Sequence, residues 1–361
     1  MKILMLNLGV VYICSWAARL NAKEKVLEVD SKKYNNLFIV IALISLIVVS
    51  GFRYKVGTDY SQYSEIYTVF APNSTVWDEE EPGFMALCKF LTNYSMDPQL
   101  MFLVTSIITN ILIVLTIKKY STKFELSMFL YITTFIYYST MNGLRQWMAA
   151  AIIFSGYKYL LNRDFKKYII FILIASTLHS SALIMILVYF IVNNKTFSKK
   201  NLMIVVGFIL ATLCYSQFSD ILFGILGNTS YGHYEEVMGV GGNGVNPLRV
   251  AVYLAPLLVS LVYYKKINPT EDEKVDILIN LCILDTLIWI LALQNIFFAR
   301  LTFYFDLYFL FLIPRIVSMD EKEFNRLAYF TIVCGYFLFS YMLLASGDSW
   351  IIPYNFKITL F

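Results

Sequence analysis

Charge is scarce in this chain. Only 15% of its 361 residues are Asp, Glu, Lys or Arg, against about 25% in an average soluble protein. The 29 basic and 25 acidic residues leave a net charge of +4, too small an excess to suggest a nucleic-acid partner. Cysteine is sparse as well. Cys14, Cys88, Cys214, Cys282 and Cys334 stand singly and far apart, which excludes a disulfide framework or a metal-ligand spacing and makes them small hydrophobes. The two histidines, His179 and His233, stand too far apart in the sequence for a metal site to be expected. There is no nucleophile elbow and no Gly-Lys-Ser/Thr phosphate cradle. The glycines of GVGGNG at 239–244 follow no strand and open no βαβ unit, which excludes a dinucleotide fold. No repeat of 20–50 residues and no inverted halves are evident, and their lack counts against a transporter.

Apolar residues are abundant, at 58% of the chain, with 17% aromatic. One soluble core cannot hide that much apolar surface, so the expected class is an all-α polytopic membrane protein, a single transmembrane domain over 1–361. A spanning helix needs roughly 20 mainly apolar residues. The sequence predicts segments near 3–20, 35–52, 98–117, 124–141, 143–161, 168–178, 180–193, 202–226, 248–264, 276–298, 301–317 and 327–345, about 11–12 in all. Most Lys and Arg gather in the loops 19–33, 118–123, 158–167, 195–200, 265–274 and 315–326, which the positive-inside rule places in the cytoplasm. Both termini then lie outside. The alternation works only if 168–193 makes two passes or one re-entrant hairpin, broken at His179. Each arm of about 11–14 residues reaches only roughly 16–21 Å, short for a core of about 30 Å, and such breaks are tolerated where they line a cavity or are buried in protein. Two exterior loops are long, 53–97 and the Gly-rich 227–247, which reads as a lid.

The rule that sets the topology discourages exterior arginine, so each one left there needs a reason. Arg53 ends the second segment, Arg145 starts the fifth, Arg249 starts the ninth and Arg300 lies between the tenth and eleventh. A guanidinium fork fits phosphate oxygens in pairs, and a helix N-terminus, where Arg145 and Arg249 fall, adds positive charge for an anion. Snorkelling to lipid phosphates is the alternative use of each. Arg145 argues best against it, because it sits in a short polar turn between two segments. Lys55, Lys89 and Lys357 read as headgroup contacts. Beside Arg53 lie Gly57, Asp59 and Tyr60, continued by Tyr63 and Tyr67. Aromatic faces and carboxylates grip sugars, and Asp59 or Glu81 suits removal of a hydroxyl proton. The alternative for Asp59 is an ion pair with Arg53 or Lys55. Of the run Asp78-Glu79-Glu80-Glu81, only Glu81, leading into Pro82-Gly83 and an amphipathic helix at 84–94, looks positioned. His179 reads either as a satisfied core histidine or, at the broken pair, as a functional one. Asp285 and Asp306 fall inside predicted segments, where charge is costly and usually functional.

GTDYSQY at 57–63, EPGF at 81–84, NGLRQWMA at 142–149, TLHSSALIM at 177–185 and LTFYFDLYFLFLIP at 301–314 with Arg300 before it resemble the EpsG-like family of Wzy-type polysaccharide polymerases. The resemblance covers residues 52–314 in family order. It implies a GT-C-like glycosyltransferase of the bacterial plasma membrane with its site on the outer side. The donor and acceptor would be undecaprenyl-diphosphate-linked oligosaccharides, with no nucleotide sugar, cofactor or metal. Membrane lipids, a flippase and a chain-length regulator would be the other partners. By position the resemblance carries over Arg53, Gly57, Asp59, Tyr60, Glu81, Arg145, Gln146, His179 and Arg300; Arg249 is added from topology alone.

The expected activity is polymerisation of repeat units into capsule or exopolysaccharide. Arg53, Arg145 and Arg300, with Arg249, hold the diphosphate and stabilise it as a leaving group, beside Tyr60 and Gln146. Asp59, Glu81 or His179 is the general base, Asp59 ranking first. The rivals are a flippase or transporter of lipid-linked oligosaccharide, a membrane acyltransferase and a single-sugar glycosyltransferase.

Overall fold

A backbone in lipid has to satisfy its own N–H and C=O groups, so the apolar runs fold as helices. The computed structural model of the protein describes residues 1–20, 34–73, 75, 81–215, 244–319, 322–347 and 350–358. Its principal helices are α1 (Lys2–Leu20), α2 (Asn36–Gly51), α3 (Tyr60–Glu65), α4 (Pro82–Thr92), α5 (Gln99–Tyr120), α6 (Phe124–Thr133), α7 (Leu144–Ser155), α8 (Phe165–Leu178), α9 (Ile184–Val192), α10 (Lys199–Leu213), α11 (Pro247–Val262), α12 (Glu273–Leu291), α13 (Phe309–Ile316) and α14 (Lys322–Ala345). Among the described residues there is no strand, and Arg53 and Phe356 form an isolated antiparallel bridge. Among the described residues three helices, α1, α5 and most of α14, are long and apolar enough to cross a membrane. A fourth candidate is the pair Ile296–Tyr304 and Asp306–Ile316, bent by 53°. With the shorter apolar helices α2, α6 and α11 and the segment Ser180–Val192, these make a multi-pass membrane protein.

Polar side chains start and join these helices. Asn35, Asp164, Ser198 and Asp272 cap α2, α8, α10 and α12 by accepting from backbone N–H groups of the first turn. Between α2 and α5, Ser50 and Ser106 share a hydrogen bond, and Asn110 donates to the Ser106 carbonyl at 2.9 Å. Gly51 lets the two backbones close, since a Cβ there would lie 3.2 Å from Leu103 Cα. Small and polar residues at a helix contact are what hold helices together where the hydrophobic effect is weak.

Contacts collect the lysine-rich loops on one face. Arg19 pairs with Glu125, Lys118 donates to Asn36, Arg163 pairs with Glu273 and Lys195 with Glu271, and Arg315 donates to the Ile267 carbonyl at 3.1 Å. On the opposite face the C-terminal stretch crosses the end of α2. Tyr54 donates to Asn355, Gly57 to Trp350, and Lys357 reaches Asp97 at 2.5 Å. Helix α1 runs antiparallel to α2, with Asn35 bonded back to Ala18, so its start also points toward this second face.

Two predicted segments come out differently, and a third folds as its loops required. The run 124–141 is not one helix. Thr133 and Thr134 turn their hydroxyls onto the Phe129 and Leu130 carbonyls, at 3.0 and 2.7 Å, competing with the main-chain ladder. Phe135 then enters the left-handed region at φ 76° before the short turn Ile136–Ser139. The separation predicted near residue 300 is a 3₁₀ helix, Ile296–Tyr304, and the bend follows it. Residues 168–193 fold back on themselves. Phe165 at the start of α8 meets Phe190 near the end of α9, with ring centroids 5.2 Å apart, and Tyr168 meets Tyr189. His179, in extended conformation (φ −157°), is the turning point. The last part of the predicted 202–226 segment and most of the loop 227–247 lie outside the described residues.

Candidate active site

Three remote parts of the chain meet at Glu81. This residue precedes α4, whose first position is Pro82, where the missing N–H costs nothing. Gly83 follows, and a Cβ there would lie 2.3 Å from Thr177 Oγ1 and 3.0 Å from the Thr177 carbonyl. Only glycine allows α4 to lie this close to the end of α8, and the approach brings Glu81 to His179. Glu81 Oε1 hydrogen-bonds His179 Nδ1, and Oε2 forms an ion pair with Arg145 Nη1 at 2.5 Å. The carboxylate is almost buried, while the Arg145 and His179 side chains keep 31% and 24% of their surface open. Buried carboxylates are held by cations and donors, and here one anion satisfies both. The Arg145 guanidinium lies over the rings of Tyr63 (5.7 Å) and Phe84 (5.9 Å). Burial pushes the Tyr63 phenol up, against the pull of Arg145.

Arg300 is tied to the same cluster through its backbone. Gln146 Nε2 donates to the Arg300 carbonyl at 2.8 Å. The next residue, Trp147, stacks on Phe303, with centroids 4.7 Å apart. Ser181, two residues after His179, shares a 2.8 Å hydrogen bond with Tyr304. The turn carrying Arg300 is therefore fastened both to the Arg145 helix and to the tip of the hairpin, and the Arg300 side chain is exposed.

Asp59 stands beside this cluster. Gly57 (φ +99°) turns the chain against Asn142, whose Oδ1 accepts from Thr58 N at 2.9 Å. That bond locks the Asp59 turn to the turn before Arg145. Asp59 is half-buried, accepts from the Thr58 hydroxyl at 2.9 Å, and its charge is felt at Tyr63. It makes no ion pair with Arg53 or Lys55 among the described residues.

Two residues expected to face a ligand are spent on the wall. Arg53 is 1% exposed. Its Nη atoms donate to the carbonyls of Ser50 (2.6 Å) and Met141 (2.8 Å), and its guanidinium covers Phe102. Burial lowers it to about 10, so it stays charged at neutral pH. It joins the end of α2 to the turn that carries Asn142 and Arg145. Tyr60 is buried and stacked on Phe102 at 4.4 Å, so neither of its ring faces offers an open sugar platform. Arg249 is half-buried on the first turn of α11, over the Phe135 ring at 5.5 Å. His233, Asp78, Glu79 and Glu80 lie outside the described residues.

The structure adds Tyr63 and Phe84 as the floor under Arg145, and Asn142 and Gly83 as the residues that set the approach of the three segments. Gly83 and Asn142 were visible within EPGF and NGLRQWMA, but no spacing in the chain tells what they touch. The EpsG family model matches residues 36–356, nearly the whole chain, and the protein belongs to that family. No curated protein and no solved structure matches it.

Proposed function

We propose that this EpsG-family protein is a metal-independent membrane glycosyltransferase that joins polyprenyl-diphosphate-linked oligosaccharide repeat units into capsule or exopolysaccharide at the outer face of the plasma membrane. In this reading the chain is one GT-C-like transmembrane domain of 11–12 segments, with both termini outside and α8–α9 as a re-entrant hairpin. The observation that carries the reading is the bridging of Arg145 and His179 by Glu81, on the face away from the lysine-rich loops. A transfer from a lipid diphosphate needs a base for the acceptor and cations for the leaving group, and this cluster supplies both kinds of group side by side.

The acceptor hydroxyl gives its proton to His179 Nε2, whose other nitrogen is held by Glu81. The acceptor oxygen forms a bond to the anomeric carbon of the donor. The bond from that carbon to the diphosphate breaks, and its electron pair leaves on the diphosphate. Arg145 and the exposed Arg300 neutralise the developing charge; Glu81 fixes the Arg145 guanidinium in advance and Gln146 fastens the backbone that carries Arg300. Arg53 acts as a positioning residue. Asp59, tied to the same turn through Thr58 and Asn142, binds sugar hydroxyls.

The test is the lipid-linked glycan of cells lacking this protein, rescued with wild type, Arg145→Ala or His179→Ala. Single undecaprenyl-diphosphate repeat units accumulating outside, with polymer restored by wild type alone, support the polymerase. Repeat units retained on the cytoplasmic leaflet overturn it in favour of a flippase. Polymer of normal length that lacks one substituent overturns it in favour of a decorating transferase.

A further inference from the structure

Five carboxylates are buried among the described residues, and four are accounted for. Glu81 has Arg145 and His179, Glu125 has Arg19, and Asp276 accepts from Thr196 N, Thr196 Oγ1 and Tyr264 OH. Asp306 accepts from Trp289 Nε1 at 3.0 Å and from Thr302 Oγ1 at 3.3 Å. Asp285 is the exception. It has no exposed surface, and neither of its oxygens has a hydrogen-bond partner. Its neighbour is the Asp306 carboxylate. No Lys, Arg or His among the described residues pairs with either one.

Two bare negative charges side by side in a membrane interior cost far more than the fold can offset. We propose that Asp285 and Asp306 form a proton-binding site within the membrane, in which one proton is held between the two carboxyl groups at neutral pH. The donors decide where it sits. Trp289 and Thr302 both point at Asp306 and favour its charged form, while nothing favours a charge on Asp285. Asp285 therefore carries the proton and donates it to Asp306, which supplies the partner its oxygens lack. No ion pair joins a cation to the two carboxyl groups among the described residues. Cys282 and Trp289 face the pair from α12, Thr302 from the 3₁₀ turn, and Tyr253 from α11, with Tyr336 of α14 behind it and Arg249 one turn away toward the outer face.

The location gives the proton a role. Asp285 is 12 residues into α12 from Glu273, about 18 Å along the helix from the lysine-rich face. Asp306 lies at the bend of the 296–316 pair, and Thr302, which it holds, is on the turn that presents Arg300. Loss of the proton puts a second charge beside Asp306 and loosens the bend on which Arg300 is mounted. The site is thus a proton-dependent support for the outer-face cation, independent of which lipid-linked glycan the protein processes.

Infrared spectroscopy of the full-length protein in liposomes tests this directly. Wild type at neutral pH is expected to show the C=O stretch of a protonated carboxyl group, shifted in D₂O, absent from Asp285→Asn and displaced but present in Asp306→Asn. Asp285→Asn copies the protonated acid, because an amide donates where the acid O–H did, and is expected to fold. The wild-type titration needs no variant: the band is expected to outlast the ordinary carboxyl range of about pH 4. A band that is lost in that ordinary range, or that survives Asp285→Asn unchanged, overturns the proposal. So does a band that NaCl removes and an equal concentration of choline chloride does not, since the site would then hold a sodium ion.

Discussion

Glu81→Gln separates the two kinds of work assigned to the site. The amide keeps the size of the side chain but loses the charge that holds Arg145 at 2.5 Å, and one of its two acceptor oxygens becomes an NH₂ donor, so His179 Nδ1 and Arg145 can no longer both be met by an acceptor. Removing one partner of a fully buried pair costs about 3–5 kcal/mol, and of an exposed pair about 0–1 kcal/mol. Arg145 and His179 are each less than a third exposed, so the loss of stability falls between, at about 2 kcal/mol. The loss of rate is expected to be larger. Positioned general bases contribute about 10²–10⁴-fold, and a histidine whose orienting carboxylate becomes an amide loses most of that. A fall of about 10³ in kcat, worth about 4 kcal/mol of barrier, is therefore expected in a protein that remains folded. The assay is polymer growth by purified protein in liposomes supplied with a lipid-diphosphate-linked repeat unit, with thermal unfolding in parallel. Asp59→Asn provides the contrast, because the described partner of Asp59 is only the Thr58 hydroxyl; it is expected to raise KM and to lower kcat less than about tenfold. A Glu81→Gln protein that polymerises within about threefold of wild type refutes the assignment. So does an Asp59→Asn protein that is the slower of the two.

Other substitutions probe the supports. Gly83→Ala drives a Cβ into Thr177 and is expected to cost about 1–3 kcal/mol and most of the activity. Thr177→Ala in the same chain is expected to return only part of both, because the Thr177 carbonyl remains 3.0 Å away; thermal unfolding of the single and double variants is the check. Arg53→Leu strands the Ser50 and Met141 carbonyls and is expected to lower stability by about 2–4 kcal/mol, with little change in KM for the fraction that stays folded, whereas Arg300→Ala is expected to raise KM and lower kcat without affecting stability. Burial pushes the Cys88 thiol up to about 12, so it stays protonated at pH values well below that. Thiol reagents applied at about pH 8 are expected to label Cys88 only after denaturation, which mass spectrometry of the modified peptides will show.

Much of the architecture was legible because a membrane imposes few rules and imposes them strongly. The lysine-rich loops named the face on which Arg19 meets Glu125 and Arg163 meets Glu273. Their alternation required a turn within 168–193, and the chain folds back at His179. Glu81 stood out from its acidic neighbours because Pro-Gly follows it, and Pro-Gly is what starts α4 against α8. The use of Arg53 was not legible. An arginine just past a helix end has one composition whether it serves a ligand or a carbonyl, and the carbonyl of Met141 that it binds comes from 88 residues away. Tyr60 failed for the same reason, since its stacking partner, Phe102, belongs to another helix. The break after Thr133 also escaped, because an apolar run gives no sign of where threonine hydroxyls will turn back onto their own helix.

The hydrogen bonds of this apolar chain divide its polar groups into those the fold consumes and those it leaves available. Asn201 and Asn280 near the lysine-rich face bond to each other at 2.7 Å and to the carbonyls of Val192, Asn194, Lys195 and Thr196. Those donors hold α9, α10 and α12 together and have nothing left to offer a ligand. The Ser50, Ser106, Asn110 and Tyr131 set between α2, α5 and α6 is likewise closed. The cluster at Glu81 differs in kind. Its anion is paired with both Arg145 and His179, while the second nitrogen of His179 and the guanidinium of Arg300 are not committed by any described hydrogen bond or ion pair. The buried Glu81 carboxylate thus holds Arg145 and His179 at a partly open surface, and Gln146 fastens the backbone of the exposed Arg300 beside them. Asp285 is the buried carboxylate for which neither oxygen finds a hydrogen-bond partner among the described residues, and with no exposed surface of its own it is left to the proton proposed above.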